Sequence, residues 1–326
     1  MNFDGVEKIA AAILYEGYIL YPYRPAAIKN RQRWNFGTLY PRVYAEAQRP
    51  QEPFRLVAEC LVVPEANASL DLKISFLQLV RQRQTSSENP GNLLDPSLAW
   101  DEAIERTAKY QNLLLRDLIA APLILALQMG PTHLSEDRSS DRAAGLQAIL
   151  KIGGEILHNG AYKLHLELEN ASTLISGQET KRDEALQRSF ISAHVLLGIN
   201  NGEFVSLLDP AETYKESPAD CHNIGVFPVL AGEEPDRTMM LCSPIILYDY
   251  PKIAPESEGD FFDGTEMDEM LTLRVLTLTD AEKQEMRAGD SRARKILERT
   301  ESLTAESMLK AHGVIRGLRE IRGDAQ

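Results

Sequence analysis

The stretch Tyr15 to Tyr44, YEGYILYPYRPAAIKNRQRWNFGTLYPRVY, gathers six of the chain's eleven tyrosines, one of its two tryptophans and five Lys or Arg, with no acid between Glu16 and Glu46. Rings beside cations suit an anionic or π-rich surface, because Tyr and Arg bury large area with few rotors and keep a polar end satisfied. The candidate binding residues here are Tyr21, Tyr23, Arg24, Lys29, Asn30, Arg31, Arg33 and Trp34. A second stretch, Tyr248 to Glu269, sets eight carboxylates against the single Lys252, and supplies Tyr248, Asp249, Tyr250, Glu256, Asp263, Glu266 and Asp268 as counterparts. These acids could hold Ca²⁺ or Mg²⁺, which take oxygen ligands, or could pair with Arg24, Arg31 and Arg33. The absence of calcium-loop spacing favours the second reading. Were the two stretches to meet, they would form a Tyr/Arg/carboxylate seam, either a docking surface or a pocket. The competing account of the basic stretch is internal packing, with its rings filling a core edge and its arginines solvating it.

The usual catalytic signatures are missing: there is no G-x-S-x-G, Walker loop, G-x-G-x-x-G, H-E-x-x-H or D-x-D-x-D-G. The histidines, at 133, 158, 165, 194, 222 and 312, are scattered without ligand spacing. Cys60, Cys221 and Cys242 form no CxxC pair, and Cys221-His222 lacks the second pair that zinc needs. No reaction is specified, no cofactor or metal is expected, and a binding role fits better than an enzymatic one. A net charge of −13 and a pI near 5.1 argue against a nucleic-acid partner. No apolar run approaches the roughly 18 residues of a membrane span. The N-terminus lacks the basic region of a signal peptide and the cysteine usage suits a reducing compartment, so a cytoplasmic protein is expected.

Periodicity predicts an α+β chain: an antiparallel, β-sandwich-like N-terminal part over 1–172 and a mixed α/β, helix-ending part over 173–326. Two strands are expected over 54–84, separated by the turn-forming PEANA, with Leu70, Leu72, Ile74 and Phe76 on one face. Ser97 reads as the cap of a helix reaching Asn112, LILALQM (123–129) as a strand, and the Asn159-Gly160 step as a hairpin between strands. A short helix is expected over 183–191 and another hairpin around Asn200, Asn201 and Gly202. Thr265 with Asp268, and Thr279 with Glu282, fit capping boxes. Alternation at Leu271, Leu273 and Val275 leaves a strand open for the first of these. The tail is expected to form two helices split near Leu303 and Thr304, with Ile296, Met308, Leu309, His312 and Ile315 turned inward.

The segments ILYPYRPAAIKNRQRWNFGTLYPR, SFISAHVLLGINNGEFVSLLDP, NIGVFPVLAG and SPIILYDYPKIAPESEGDFFDGTEMDEMLTLRVLTLTDAEK, with the Arg/Leu-rich tail, resemble an uncharacterised family associated with [NiFe]-hydrogenase gene clusters, notably those of high-affinity, oxygen-tolerant uptake enzymes. The resemblance covers nearly the whole chain apart from 85–97 and 130–142. It implies an accessory part in hydrogenase maturation, by association rather than by chemistry. Without clustered Cys or His, holding a hydrogenase subunit is the better expectation than carrying nickel or iron.

Overall fold

The computed structural model describes residues 3–24, 27–31, 33–80, 102–131, 143–174, 180–253, 268–288 and 291–303, with Ile28, Arg31, Asp268, Glu269, Ala288 and Ser291 described by backbone alone. In chain order the helices and strands begin with α1 (Asp4–Leu14), α2 (Ile28–Arg31), α3 (Arg42–Ala47), β1 (Arg55–Val80), β2 (Glu102–Leu114), α4 (Leu115–Ala120) and β3 (Leu123–Met129). There follow β4 (Leu146–Ile156), β5 (Tyr162–Asn170), α5 (Arg182–Leu186), β6 (Ile191–Val205), β7 (Phe227–Ala231) and β8 (Met239–Ser243). Then come α6 (Asp268–Leu276), α7 (Asp280–Ala288) and α8 (Ser291–Ser302). The class is α+β, carried by one eight-stranded antiparallel sheet in the order β3-β4-β5-β1-β6-β8-β7, with β2 joined to β1.

The chain divides into two compact units, residues 1–18 with 32–252 and residues 19–31 with 253–326. Position 172 is no boundary within the sheet, because β6 pairs with β1 directly.

The sheet is organised by β1, which is 26 residues long. One of its edges pairs with β5 along Arg55–Val62 and then with β2 along Ser69–Val80, while the other edge pairs with β6. Even-numbered residues on both halves, from Leu56 and Cys60 to Ile74 and Phe76, feed a single core. That core also takes Leu150 of β4, Leu166 of β5, Val195 of β6 and Met240 of β8. Each such side chain, fully buried, stabilises by about 1.5–3 kcal/mol. The helix contributing to this face, among the described residues, is the short α4, through Leu115 and Leu118. Among the described residues there is no second sheet, and the strands of this one curve round a shared core. The outer face at β6, β7 and β8 is covered by α1, whose Val6, Ala10 and Ile13, with Phe3 just before it, pack on Leu196, Val229 and Leu241. Glu7 pairs with Lys73 of β1 at 2.7 Å, and Ser192 donates to the Ile13 carbonyl at 2.9 Å.

Several sequence expectations are corrected. The turn-forming stretch after Val63 does not reverse the chain. It is absorbed as a bulge, in which Pro64 faces Gly202 and Ser69 faces Asn200, with Asn67 and Asn201 both at φ 58°. The same pairing removes the hairpin expected at Asn200–Gly202, because β6 must stay extended to follow the bend of β1. Residues 102–112 are strand rather than helix. The alternation that lets Ala108 and Tyr110 pack on the core outweighs local helix propensity, and Ser97 lies outside the described residues. The strand at 123–129 and the hairpin at 158–160 form as expected.

In the second unit 271–275 is helix, not strand. Thr279 and Glu282 form the expected capping box: the Thr279 N–H donates to Glu282 Oε2 at 2.9 Å and the Glu282 N–H returns to Thr279 Oγ1 at 3.3 Å. Helix α8 ends at Ser302 with Ile296 buried. The partner expected beyond it and the Thr265 cap lie outside the described residues.

His194 of β6 is sealed within the first unit, its Nδ1 2.9 Å from the Ser192 carbonyl. Burial, with a smaller contribution from Lys73, lowers its pKa from 6.5 to about 4, so the neutral imidazole is the folded form. A depressed folded pKa gives stability that is whole above the unfolded value and lost as pH falls. Urea unfolding should therefore show stability declining from pH 6.5 towards 4 by up to about 1.4 kcal/mol per unit, and H194Q should flatten that decline.

Candidate functional site

The basic aromatic stretch is shared between the two units. In the first, Arg33 and Trp34 are buried. The Arg33 guanidinium lies 4.4 Å from the Trp34 ring centroid, Nη1 donates to the Tyr18 carbonyl at 3.4 Å, and Tyr18 meets Trp34 edge to face at 5.1 Å. Trp34 holds φ 69°, a left-handed value costly for a bulky side chain, and Thr38 Oγ1 donates to its carbonyl at 2.7 Å. Beyond it the chain joins the sheet: Ala193 donates to the Gly37 carbonyl at 3.0 Å and Leu39 bridges Phe190. Gly37, at φ 52°, lies against Pro244, which a Cβ would meet at 2.6 Å.

In the second unit Tyr23 is buried, and Asn30 ties its own loop by donating to the Leu20 and Arg24 carbonyls and accepting the Leu20 N–H. Lys29 is exposed. Tyr21 lies under Arg274 of α6, 5.6 Å from its ring centroid. Among the described residues the acids that Arg24 meets are Glu282 and Glu285 of α7, each at 3.2 Å. Two carboxylates already match that guanidinium, which leaves it poorly suited to gripping a free anion. Glu256, Asp263 and Glu266 lie outside the described residues, as do the side chains of Arg31 and Asp268. These rings and arginines, where described, act chiefly in packing, the bland account of the stretch.

Tyr248, Asp249 and Tyr250 form a different arrangement. The chain leaving β8 runs irregularly along the free edge of β7: Tyr250 donates to the Leu230 carbonyl at 2.8 Å, and the Leu230 N–H donates to Asp249 Oδ1 at 2.7 Å. Asp249 Oδ2 accepts from Ser206 Oγ, which itself accepts the Leu208 and Asp209 N–H groups. Ile245 and Leu247 pack inward beside α1, and Tyr250, at φ 54°, packs on the main core. Ile246 and Tyr248 alternate outward and stand 78% and 87% exposed. Two large apolar side chains are thus held out by a backbone fixed on both sides. The alternation in PIILYDYP carried this signal, but the half-buried Asp249 anchor is what fixes the backbone.

One polar cluster was missed. Glu59 of β1 faces His165 of β5 across the ladder; its Oε1 lies 2.9 Å from His165 Nδ1 and its Oε2 accepts the His222 N–H at 2.7 Å. Burial raises the Glu59 pKa, but the His222 N–H and the His165 ring outweigh it and hold the carboxyl below its ordinary range. Strand alternation placed His165 on the polar face; its partner required the register. Cys221 is half-buried and burial pushes its thiol up to about 12, far from the thiolate a nucleophile or metal ligand needs. Among the described residues no three His, Cys, Asp or Glu groups could share a metal ion, and no helix is long and apolar enough to cross a membrane.

No family model matches the chain, and no curated protein matches it. Among solved structures, the secretin InvG of the Salmonella SPI-1 type III secretion injectisome is similar over 46% of this chain and 49% of that one, at 12% identity and a TM-score of 0.12. A structure of the Salmonella basal body proteins InvG, PrgH and PrgK matches over 46% of this chain and 35% of that one, again at 12% and 0.12. The match spans less than half the length of those chains, and likeness that slight carries no argument about function.

Two outcomes follow from these anchors. Asp249→Ala strands the buried Leu230 N–H and should cost about 1–3 kcal/mol in urea unfolding; an unchanged midpoint would show that the anchor is idle. The Glu59 contribution is present above the ordinary carboxylate range and lost as pH falls through the depressed value. E59Q should therefore be less stable than the parent at neutral pH, with the difference shrinking on acidification.

Proposed function

We propose that this protein is a non-enzymatic accessory protein that docks another polypeptide in the cytoplasm, namely the [NiFe]-hydrogenase subunit to which the family resemblance points. The observation that carries the docking reading is the fixed 245–250 segment, with Ile246 and Tyr248 outward and Asp249 locked beneath them. Large apolar side chains on a pre-ordered backbone lose little freedom on binding, and such anchors dominate interface energies. The hydrogenase part rests on the sequence resemblance alone. The three free cysteines support a reducing compartment.

Affinity capture with the tagged full chain, co-expressed with hydrogenase subunits, tests both parts. The parent should retain a subunit, and I246D/Y248A should lose at least 90% of it. The melting temperature should barely move, because exposed substitutions cost about 0.5 kcal/mol or less. Equal capture by the variant would remove the docking surface, and parental protein retaining no subunit would remove the hydrogenase assignment.

A further inference from the structure

The curled sheet ends in two strands that do not pair with each other. Among the described residues β2 is laddered only to β1, and β3 only to β4. They are joined by α4 and two more residues, so they leave that end side by side and antiparallel. At the other end Arg106 of β2 donates through Nη2 to the Gly130 carbonyl, just past β3, at 2.9 Å. An arginine's reach plus its hydrogen bond is comparable with two strand spacings, roughly 9–10 Å. A slot no wider at this end than about two strand spacings, the room that one added strand needs, therefore separates the two edges.

The chemistry of the slot differs between its inner and outer sides. Inward, Tyr110 of β2 and Leu125 and Leu127 of β3 are only half-buried where they meet the core, so the apolar interior is open along this line. Outward, two exposed lysines lie near it, Lys109 on the β2 edge and Lys151 on β4, one strand behind the β3 edge. Lys109 stands opposite Lys73, whose ammonium is taken by Glu7. Lys151 stands between Ile124 and Glu167, and Glu167 is taken by Arg55. Neither Lys109 nor Lys151 has an ion pair among the described residues. The sequence of β3, LILALQM, has no charge, proline or glycine, although native edges are usually blunted by lysine, proline or a bulge. Two facing rows of backbone N–H and C=O groups call for alternating acceptors and donors at strand spacing. Another polypeptide backbone supplies these; a lipid chain does not.

We propose that the slot between β2 and β3 receives an extended segment of a partner protein as an added strand, its aliphatic side chains turned in towards Leu125 and Leu127 and its carboxylates turned out towards Lys109 and Lys151. The site is independent of Ile246 and Tyr248, so success or failure at either surface leaves the other undecided. A segment matching β3 spans seven residues.

The probe is a capped heptapeptide of alternating valine and glutamate, compared with the same peptide N-methylated at alternate residues. Amide exchange is followed by NMR on the full chain. In the free protein, the outward-pointing amides of β2 and β3 should exchange at least 100-fold faster than those of β1. Millimolar heptapeptide should slow them at least 10-fold, the methylated peptide should bind at least 10-fold more weakly, and K109E/K151E should weaken binding at least 10-fold with an unchanged melting temperature. Edge amides already as protected as β1 in the free chain would mean that the protein's own chain fills the slot. Protection rising with protein concentration alone would mean that a second copy does. Either result overturns the proposal, as does equal binding by the methylated peptide or no slowing by the parent peptide.

Discussion

The constraint on which the first unit depends is that β1 keeps one face largely apolar while, among the described residues, no second sheet covers it. Leu56, Cys60, Leu72 and Phe76 lie on that face, and a flat sheet would leave them in water at about 1.5–3 kcal/mol for each large side chain. Curling lets the strands of the one sheet bury them against each other. The bulge between Pro64 and Ser69 provides the bend, since an unpaired excess on one strand sharpens local twist. β6 follows with Asn201 at φ 58°, a value Asn tolerates better than most residues. Once the sheet curls, α1 needs to cover only the outer face at β6, β7 and β8, and the ends at β2 and β3 are brought towards each other.

What was legible in the sequence was local. The Asn159-Gly160 turn, the strand at 123–129 and the Thr279–Glu282 capping box each depend on neighbours within a few residues, and each appears in the structure. What escaped was register. PEANA and NNG carry the chemistry of turns, yet they lie opposite each other across β1 and β6, and pairing along both sides holds them in the ladder. Residues 102–112 hold Ala, Glu, Arg and Lys, which suit a helix, but a thirteen-residue strand forms because β1 offers a matching edge. Tertiary pairing overrides propensity in such places.

The candidate site divides along the same line. The ring and arginine content of residues 15–44 is visible in composition, but its meaning depends on what surrounds it. Arg33 is enclosed by Tyr18 and Trp34, and Arg24 is taken by Glu282 and Glu285, acids that no local pattern singled out for it. Conversely Asp249 looked like one acid among eight, and it anchors the segment that exposes Ile246 and Tyr248. A carboxylate inside a run of carboxylates does not announce itself as structural.

The route of the polypeptide has a consequence for dissection. Residues 19–31 leave the body formed by 1–18 and 32–252 and belong with 253–326. No single scission can therefore yield both bodies whole: a gene product ending at Lys252 keeps Tyr21 and Arg24 but loses Arg274, Glu282 and Glu285, the groups they lean on. Such a fragment would display bare rings and an unmatched guanidinium, and adhesiveness seen in it would be an artefact of cutting.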